Sequence, residues 1–504
     1  MGRTPTLSFD RGTLILHPPP RGKAWLDFAT WDDRVERFRI PANRYRELIT
    51  VLEAESVAFC DLAKAFVELE LSARVVMQPY PHQSEALVAW QQAGQRGVVV
   101  LPTAAGKTYL AQLAMQVTRR STLIVVPTLD LMHQWYTHLV AAFPDLEVGL
   151  LGGGSRDRTA ILVATYDSAA IHAETLGAQY GFLIFDECHH LPTDFNQAIA
   201  TYSLAPYRLG LTATPDRSDG RHIDLDTLIG AEVYRKTAEQ LAGNALADHE
   251  IVQIKVKLSQ SERDRYDRLT TIRNNFLREA KISLGGMQGW QRFVQASARS
   301  QAGRRAMLAH REAKETALGT DGKLRVLADL LAEHFPERIL IFTNDNATVY
   351  QISQEFLIPA ITHQTPVKER HEILKHFRSG EYKTLVVSHV LNEGVDVPDA
   401  GIAILLSGTG STREYIQRLG RILRRGTNID KRAILYEVIA ENTSEERTSQ
   451  RRHGEDWTNT HKQKKPVNVV QMGIAYKEDS ERSTPLAAET PTQWRSPDKS
   501  EETI

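Results

Sequence analysis

Short apolar runs recur along much of the chain and predict buried β-strands. A first set of runs covers residues 98–101, 122–127, 161–164, 182–185 and 208–212. A second set covers residues 338–342, 384–387, 402–406 and 433–438. Each run ends in a polar loop and helix-sized segments separate the runs, as in parallel sheets whose strands are buried on both faces. The pattern therefore predicts two α/β lobes.

The segments outside these two sets have different patterns. The N-terminal segment alternates short strand patterns with one helical stretch at 45–53, and the segment between the lobes is mostly helical. After residue 456, Ser, Thr, Pro, Lys and Glu dominate and the periodicity is lost, which predicts a disordered tail. The expected segments are, in chain order, 1–75, 76–245, 246–325, 326–455 and 456–504.

Composition and charge exclude several classes of protein. Of the 504 residues, 42% are hydrophobic and 24% are charged, which is typical of a folded globular protein and excludes a fibrous or wholly disordered chain. The formal net charge is -1, so any surface for nucleic acid must be local. Such a local excess exists at 251–320, where 14 Lys and Arg stand against 6 Asp and Glu.

The two cysteines, Cys60 and Cys188, are too few for a disulfide scaffold, a four-cysteine zinc site or a four-cysteine iron–sulfur cluster. A reducing compartment fits this usage. No apolar stretch approaches the ~20 residues that span a bilayer, and no signal peptide is evident. We expect a cytoplasmic monomer without a membrane partner.

A phosphate-binding loop is predicted where the first strand of the first lobe leads into a helix. Its residues are Thr103, Ala104, Ala105, Gly106, Lys107 and Thr108. Backbone N–H groups and a helix N-terminus would face the phosphates, Lys107 would contact the β- and γ-phosphates, and Thr108 would bind Mg²⁺. Leu101 replaces the usual first glycine of such loops, and Ala104 in a left-handed conformation costs about 1 kcal/mol, which is tolerable.

Two carboxylates follow the apolar run at 182–185. Asp186 would hold Mg²⁺ and Glu187 would orient or deprotonate the water that attacks the γ-phosphate. A solvated strand end is the simpler alternative, but it does not explain why the acids follow a buried strand downstream of a phosphate loop. His189 either links this site to elements that contact DNA or is simply a packed, satisfied histidine.

With these residues in place, the sequence resembles superfamily 2 helicases. The segments that match, in order, are the Q motif at 80–83, motif Ia at 126–135, a strand-contact motif at 164–168, motif III at 211–215, motif V at 393–398 and motif VI at 417–424. The resemblance implies RecA-like lobes, ATP as substrate and Mg²⁺ as cofactor. It implies that Gln83 reads the adenine edge and that Gly394, Asp396 and Gln417 contact the nucleotide. It also implies DNA contacts by Pro127, Thr128 and Thr165.

Two arginines of motif VI have a physical reason to act in catalysis. Arg421 and Arg424 lie three residues apart and would share one face of a helix. Charge spreads over the γ-phosphoryl oxygens in the transition state, and an arginine fork matches it. We expect these side chains to reach across the cleft from the second lobe as arginine fingers.

The flanking segments resemble XPB-type helicases in particular. Residues 217–219 are similar to an Arg-Glu-Asp motif of that family, with Ser218 in place of the glutamate, so Arg217 and Asp219 are expected to act on DNA. The resemblance also implies a DNA-interacting N-terminal domain at 1–75, a thumb-like insert, 3′-to-5′ translocation, duplex opening in repair or transcription, and a nuclease partner. The expected fold class is α/β: two RecA-like parallel-sheet lobes, a small N-terminal α+β domain and a helical thumb-like insert.

The basic insert is expected to bind DNA, either as a single strand or as a forked duplex. The arginines assigned to it are Arg292, Arg299, Arg304 and Arg305, and the interleaved aromatic residues are Phe276, Trp290 and Phe293. The aromatic rings either stack on bases or pack the small core of the insert itself; core packing is favoured for Phe276, and Trp290 stays open.

The leading hypothesis is an ATP-dependent DNA helicase or translocase, and three alternatives stay open beside it. An RNA helicase would share the same Asp-Glu pair, although the insert and the N-terminal segment favour DNA. The motor subunit of a nuclease or restriction complex is another, although Glu312 and Lys314 lack a partnering strand carboxylate. An inactive, ATP-gated DNA-binding module is disfavoured by the intact Lys107 and Glu187.

Overall fold

The protein is described here from a computed structural model. The structure describes residues 4–20, 24–73, 77–217, 219–241, 248–284, 286–335, 337–388, 400–407, 432–450 and 468–470. Within these ranges, no helix is both long enough and apolar enough to cross a membrane.

The N-terminal segment folds into a five-stranded sheet with one helix packed on it. Its elements are β1 (Thr6–Asp10), β2 (Thr13–His17), β3 (Thr30–Asp32), β4 (Arg37–Pro41), α1 (Tyr45–Ala54) and β5 (Cys60–Asp61), in the sheet order β3-β4-β2-β1-β5. The predicted strand at 13–16 and helix at 45–53 are both confirmed. The domain is joined to the first lobe by backbone hydrogen bonds from Ala65 N to Ala178 O (2.9 Å) and from Leu69 N to Arg119 O (3.0 Å).

The first lobe is an eight-stranded, mostly parallel sheet with helices packed on it. Its helices are α2 (Pro81–Gln92), α3 (Lys107–Thr118), α4 (Leu129–Ala142), α5 (Tyr166–Ile171), α6 (Ala173–Leu176), α7 (Ala198–Thr201), α8 (Asp224–Leu228) and α9 (Ala238–Leu241). Its strands are β6 (Arg96–Val100), β7 (Thr122–Val126), β8 (Val148–Gly152), β9 (Ser155–Arg156), β10 (Ile161–Thr165), β11 (Phe182–Asp186), β12 (Tyr207–Thr212) and β13 (Glu232–Arg235). The order is β13-β6-β12-β11-β7-β10-β8-β9.

All five strands predicted for this lobe are present, and they occupy the centre of its sheet. β7 and β11 consist entirely of buried residues, which is why they appear in the sequence as unbroken apolar runs. Because these strands are parallel and in register, the carboxyl ends of β6, β12, β11, β7 and β10 lie along one edge. Ligands of open parallel sheets bind at this edge.

The second lobe is a seven-stranded parallel sheet. Its strands are β14 (Asp248–Val256), β15 (Ile339–Phe342), β16 (Ala360–Ile361), β17 (Thr384–Val387), β18 (Ile402–Leu405), β19 (Arg432–Ala440) and β20 (Asn468–Val470), in the order β16-β17-β15-β18-β19-β14-β20. The insert consists of α10 (Gln260–Glu279), α11 (Gly286–Arg299) and α12 (Gln301–Leu318), and α13 (Asp321–Glu333), α14 (Asn346–Phe356) and α15 (Val367–Ser379) belong to the second lobe.

Two expectations about the segment boundaries are wrong. Strand β14, expected within the 246–325 insert, pairs along its whole length with β19 and is part of the second sheet. Its alternation of Ile254 with Gln253 and Lys255 is a half-buried strand pattern, which the basic character of the segment obscured. In the tail expected to be disordered, Asn468–Val470 pairs with β14, because a short apolar run suffices to extend that edge. The remainder of 456–504 lies outside the described residues.

The insert is rooted in the second lobe at both of its ends. Ser259 and Glu262 form a capping box that starts α10, and Glu262 also accepts a hydrogen bond from Thr320, the N-cap of α13 (3.0 Å). Arg263 donates to Glu441 O after β19 (2.7 Å). The root of the insert therefore contacts the helix that follows it and the residue after β19.

Candidate active site and nucleic-acid surface

The phosphate loop joins β6 to α3 at the ligand-binding edge of the first lobe. Ala104 has a φ of 70°, so it occupies the left-handed conformation expected from the sequence. Gly106 caps α3 with a φ of 78°. A Cβ at Gly106 would lie 2.2 Å from the Nε2 of Gln83, so a larger residue would be excluded by contact as well as by conformation.

Two residues at the start of α2 contact the loop backbone. The Nε2 of His82 lies 2.8 Å from Ala105 O. The Nε2 of Gln83 donates to Ala105 O and Gly106 O, both at 3.3 Å, while its Oε1 accepts from Tyr80 N at 2.9 Å. Gln83 is only 2% exposed. The side chain expected to read the adenine edge is therefore engaged with the phosphate loop in this structure.

The loop residues fit a triphosphate. The Oγ1 of Thr103 is buried and has no hydrogen-bond partner in the described part of the chain. This hydroxyl can therefore form a hydrogen bond with a ligand in the loop. Lys107 and Thr108 are the first two residues of the 12-residue helix α3, whose N-terminal N–H groups lack partners within the helix. This arrangement fits an anion with several oxygens.

The residues predicted to bind Mg²⁺ also fit that ion. Thr108 and Asp186 supply oxygen ligands, the type that Mg²⁺ prefers. Two such ligands suffice, because Mg²⁺ usually binds one or two protein ligands together with substrate phosphates.

Asp186 ends β11 in a buried setting. Its Oδ2 accepts a hydrogen bond from the indole N–H of Trp135 (2.8 Å) and its Oδ1 accepts from Glu187 N (3.1 Å). Burial, reinforced by the neighbouring charge of Glu187, raises the pKa of Asp186 to about 6, and Lys107 and Trp135 oppose that rise. The carboxylate is thus held in a fixed orientation that is electrostatically costly without a bound cation.

Glu187 lies at the centre of the polar cluster. Its Oε1 is 3.5 Å from the ammonium of Lys107, and its Oε2 is 3.3 Å from the hydroxyl of Thr212 and 3.5 Å from the Nδ1 of His189. Its backbone is left-handed, with a φ of 47°, at the sharp turn between β11 and the short helix Cys188–His190. The structure thus brings Lys107, Asp186 and Glu187 together as predicted from the sequence.

His189 connects this cluster to the pair that was expected to act on DNA. It is buried, and its Nδ1 lies 3.0 Å from the Thr212 hydroxyl at the end of β12. Its carbonyl accepts a hydrogen bond from Arg217 (2.6 Å). Arg217 also makes two hydrogen bonds to Asp219, at 2.9 and 2.6 Å, and this pairing holds the pKa of Asp219 well below its usual range. Arg217 is therefore already ion-paired, and Ser218 lies outside the described residues.

The other predicted DNA residues of this lobe lie along the same edge. Thr128 caps α4 and accepts from Leu131 N (3.3 Å); Thr165 caps α5 and accepts from Ser168 N (3.3 Å). Pro127 links β7 to Thr128. The observed role of both threonines is helix capping, and their contacts with DNA stay predictions.

The insert presents a charged surface of another kind. Arg292, Arg299, Arg304 and Arg305 are all exposed, and none of them forms an ion pair with a carboxylate of the described chain. Nearer the root, arginines are paired: Arg265 lies 3.6 Å from Glu312, and Arg311 lies 2.8 Å from Glu315. The four arginines assigned to DNA therefore carry charge that no carboxylate of the described residues neutralises.

The aromatic residues of the insert divide into core and surface. Phe293 is fully buried and forms a small core with Leu277 and Ala306, against which Phe276 packs, so base stacking by Phe293 is excluded. Trp290 is 42% exposed and rests against Phe293 and His310, with ring centroids 5.7 and 5.4 Å away. Trp290 alone among the three keeps a substantial exposed area.

Several predicted and unpredicted residues complete the site. Gly394, Asp396, Gln417, Arg421 and Arg424 lie outside the described residues, so their assigned roles stay predictions. Sequence reasoning missed the contacts of His82 with the loop and of Trp135 with Asp186. A signal existed for Trp135, because a tryptophan on the apolar face of a helix needs a buried acceptor for its N–H.

Comparison with known families divides the chain into three parts. Residues 7–63 match the family described as xeroderma pigmentosum group B helicase damage recognition domain. Residues 76–217 match the type III restriction enzyme, res subunit, and residues 322–426 match the helicase conserved C-terminal domain. These three matches correspond to the N-terminal domain, most of the first lobe and most of the second lobe.

Individual relatives match long stretches of the chain. The DNA 3'-5' translocase XPB2 of Sulfurisphaera tokodaii is 40% identical over 84% of this chain and 95% of its own length. The DNA 3'-5' helicase XPB of Mycobacterium tuberculosis is 31% identical over 69% of this chain and 58% of its own length. The solved helicase domain of Pyrococcus furiosus Hef has the same two-lobed fold, with a TM-score of 0.50 at 18% identity over 73% of this chain and 97% of that one. The chain belongs to the XPB-type helicase family.

Proposed function

We propose that this protein is an ATP-dependent DNA translocase and helicase that moves 3′ to 5′ and acts in DNA repair or transcription. The observation that carries the proposal is the convergence of Lys107, Asp186 and Glu187 at one edge of the first sheet, with the Lys107 ammonium 3.5 Å from Glu187. Its support from relatives is the 40% identity to a protein named DNA 3'-5' translocase XPB2.

We propose a task for each side chain that would surround the phosphates of a bound nucleotide. The N–H groups at the start of α3 would bind the phosphate oxygens, and Lys107 would move from Glu187 to the β- and γ-phosphates. That movement would free Glu187, still held by Thr212, to orient the attacking water and accept its proton. Thr108 and Asp186 would hold Mg²⁺, which supplies neutralisation of the developing phosphate charge when bound.

The second lobe would complete the reaction. Arg421 and Arg424 are proposed to stabilise the spread of charge on the γ-phosphoryl group, with Gly394, Asp396 and Gln417 beside the nucleotide. Since these residues belong to the second lobe and Lys107 to the first, hydrolysis would require the cleft to close.

DNA would lie across the helix caps of the first lobe and the arginines of the insert. Translocation over any sequence needs contacts to phosphate and sugar, which carry no sequence information. Pro127, Thr128, Thr165 and the exposed arginines suit such contacts. A monomeric state is a prediction from the sequence, and a nuclease partner is a prediction from the family resemblance.

The test is the rate of ATP hydrolysis by the full chain, measured without nucleic acid and with single-stranded DNA, duplex DNA and RNA. The proposal expects low basal hydrolysis that DNA stimulates and RNA does not. Equal or greater stimulation by RNA would favour the RNA helicase alternative. No hydrolysis under any condition would favour an ATP-gated binding module instead.

A further inference from the structure

Thr128 and Thr165, the helix caps that are predicted to contact DNA, lie close together at the edge of the first sheet. β7 and β10 pair in parallel, and Thr165 is the register partner of Val126, two residues before Thr128. An added Cβ at Gly152 would lie 3.1 Å from the Oγ1 of Thr165 and 3.3 Å from the Sδ of Met132 in α4. The beginnings of α4 and α5 are therefore neighbours, and one strand of DNA along this edge would pass both.

Each of these two helices donates a hydrogen bond to Asp186 from a buried aromatic side chain. The indole N–H of Trp135 in α4 donates to Asp186 Oδ2 at 2.8 Å. The hydroxyl of Tyr166, the first residue of α5, donates to Asp186 O at 3.1 Å. Trp135 is 1% exposed and Tyr166 is 4% exposed. The proposed Mg²⁺ ligand is therefore attached to α4 through its carboxylate and to α5 through its backbone.

Trp135 is placed to pass a displacement of α4 on to the carboxylate. It lies seven residues after the cap Thr128, which is two helical turns, so the two residues share one face of α4 roughly 10 Å apart. A helix is a rigid element that can carry a movement from one end to the other. A hydrogen bond is lost once donor and acceptor are ~3.6 Å apart, so a shift of α4 by ~1 Å along this bond would break it. The orientation of the Asp186 carboxylate therefore depends on the position of α4.

We propose an aromatic relay in which Trp135, assisted by Tyr166, couples DNA binding at the starts of α4 and α5 to Mg²⁺ binding at Asp186. A DNA phosphate on Thr128 would restrict α4 to the position in which the indole meets the carboxylate. Trp135 and Tyr166 are positioning residues, because they act through Asp186. By linkage, DNA would raise the affinity for the Mg²⁺–nucleotide complex by the factor by which that complex raises the affinity for DNA. The relay rests on the proposed function, to which the DNA contacts of the two caps belong.

The experiment measures this coupling factor at equilibrium on the full-length protein. Calorimetry gives the affinity for the Mg²⁺ complex of a non-hydrolysable ATP analogue, with and without a single-stranded DNA oligonucleotide. In the wild type, the oligonucleotide should raise this affinity by about 5- to 150-fold. In Trp135→Phe, which keeps a ring in the core and removes the N–H, the coupling factor should fall to about 1. Tyr166→Phe should lower the factor less, because a hydrogen bond to a neutral carbonyl is weaker than one to a carboxylate.

Trp90→Phe is the matched control, because it removes the same type of hydrogen bond elsewhere in the first lobe. Trp90 is also 1% exposed, and its indole N–H donates to Arg208 O at 2.9 Å. Arg208 lies near the start of β12, whereas Asp186 ends the neighbouring strand β11, so the two acceptors lie toward opposite edges of the sheet. Both variants should unfold at a lower temperature than the wild type, but only Trp135→Phe should lose the coupling factor.

The Mg²⁺ concentration for half-maximal binding of the analogue is a second measurement. DNA should lower this concentration in the wild type and leave it unchanged in Trp135→Phe, which a general loss of stability would not produce. The relay is wrong if Trp135→Phe keeps the wild-type coupling factor, or if Trp90→Phe loses the factor to the same extent. If Trp135→Phe does not fold, an unchanged factor in Tyr166→Phe refutes the relay.

The proposed function and the relay fail in different ways. A wild type whose ATPase is stimulated by DNA, together with a wild-type coupling factor in Trp135→Phe, would keep the proposed function and refute the relay alone. A wild type that binds neither the analogue nor DNA would refute the proposed function, and the relay with it.

Discussion

The charged side chains at the ligand-binding edge of the first lobe are paired and largely buried, whereas the arginines assigned to DNA on the insert are exposed. At the edge, Lys107 and Glu187 are each only 12% exposed and contact one another, and Asp186 is held by Trp135. On the insert, Arg304 and Arg305 are exposed and have no ion-pair partner among the described residues. Contacts within the protein therefore orient the charges at the edge of the first lobe, whereas the charges on the insert face solvent.

The difference matches two physical tasks. Stabilising a transition state requires dipoles and charges that are already oriented in a site of low dielectric constant. Moving along DNA requires contacts that form and break at every step. Contacts between exposed arginines and phosphates meet that need, because salt screens the attraction between them. Changes at the edge should therefore alter turnover, and changes on the insert should alter the salt dependence of binding.

The largest expected effect is at the edge. Glu187→Gln keeps an acceptor for Thr212 but cannot accept a proton, so DNA-stimulated ATP turnover should fall by about 10²–10⁴-fold while ATP still binds. Steady-state hydrolysis and equilibrium ATP binding, measured together, separate the two effects. Glu174→Gln, an exposed glutamate of the same lobe, should hydrolyse ATP like the wild type. Unchanged turnover in Glu187→Gln would remove Glu187 from the mechanism.

The next effect belongs to the insert. Replacing Arg292, Arg299, Arg304 and Arg305 together by Ala should weaken single-stranded DNA binding by about 10- to 100-fold at ~0.1 M salt. The slope of log affinity against log salt concentration should flatten by up to about 3, at about 0.7 per lost phosphate contact. Basal ATPase, which depends on the edge, should persist.

A matched pair of double variants sharpens this result. Arg304→Ala with Arg305→Ala removes exposed, unpaired charges, whereas Arg265→Ala with Arg311→Ala removes the same number of charges from ion pairs near the root. The first should flatten the salt slope more than the second. If the quadruple variant keeps its salt slope but loses basal ATPase, the insert is a structural brace and not a grip on DNA.

A smaller effect should appear in stability. The folded-state pKa of Asp186 is raised to about 6, above the unfolded value near 3.9, so between these values the folded state binds a proton that the unfolded state lacks. The free energy of unfolding of the wild type should therefore rise as pH falls through this window. Above the window, the buried charge of Asp186 lowers it. Asp186→Asn should remove that penalty, raising the free energy of unfolding by about 1–2 kcal/mol at pH 7–8 and converging on the wild type below about pH 4.

Thermal unfolding of wild type and Asp186→Asn across pH 4–8 checks this expectation. Asp145→Asn, at an exposed position of the same lobe, serves as the control and should follow the wild type at every pH. If Asp186→Asn proved less stable than the wild type at pH 8, the carboxylate would be a stabilising part of the fold, and the contrast between preorganised and solvated charge would be weakened.

The smallest expected effect lies between the two regions. Asp219→Ala removes the partner of Arg217 and leaves its hydrogen bond to His189 O. DNA stimulation of ATPase should change by about two- to fivefold, in keeping with a partly exposed ion pair, while DNA-free turnover stays constant. Asp226→Ala, exposed and nearby, is the control. A loss of DNA-free turnover would place Asp219 with the edge and not with the DNA surface.

The sequence was most informative where strands are buried on both faces. The runs at 122–127 and 182–185 correspond to β7 and β11, since parallel central strands leave long apolar patterns. The carboxylates at 186 and 187 could be placed for the same reason, because they follow such a strand directly. Strand β14 was missed since Gln253 and Lys255 alternate with its apolar residues, and Lys255 forms an ion pair with Glu446 far along the chain.

Contacts between distant residues were the part of the site that local pattern could not reveal. The sequence places Trp135 in one motif and Asp186 in another, 51 residues apart, and only the fold brings the indole N–H to the carboxylate. Gln83 shows a related limit, since the family resemblance implied a base contact and only the fold reveals its hydrogen bonds to the phosphate loop. The exposure of Trp290 and the burial of Phe293 likewise depend on how α11 packs, although both residues share one helix.

Both ends of the insert are attached to the second lobe, so a rotation of that lobe would move the far end of the insert. Strand β14 enters the second sheet before α10 begins, and α13 returns to that lobe directly after α12, so we expect the insert to turn with the second lobe. A 20-residue helix such as α10 is ~30 Å long, and a rotation of ~10° at its root would displace the far end by ~5 Å. Successive phosphates of one DNA strand are ~3.4 Å apart along the helix axis. A small closing motion of the second lobe would thus be amplified at the far end of the insert into a displacement of about one to two nucleotide spacings.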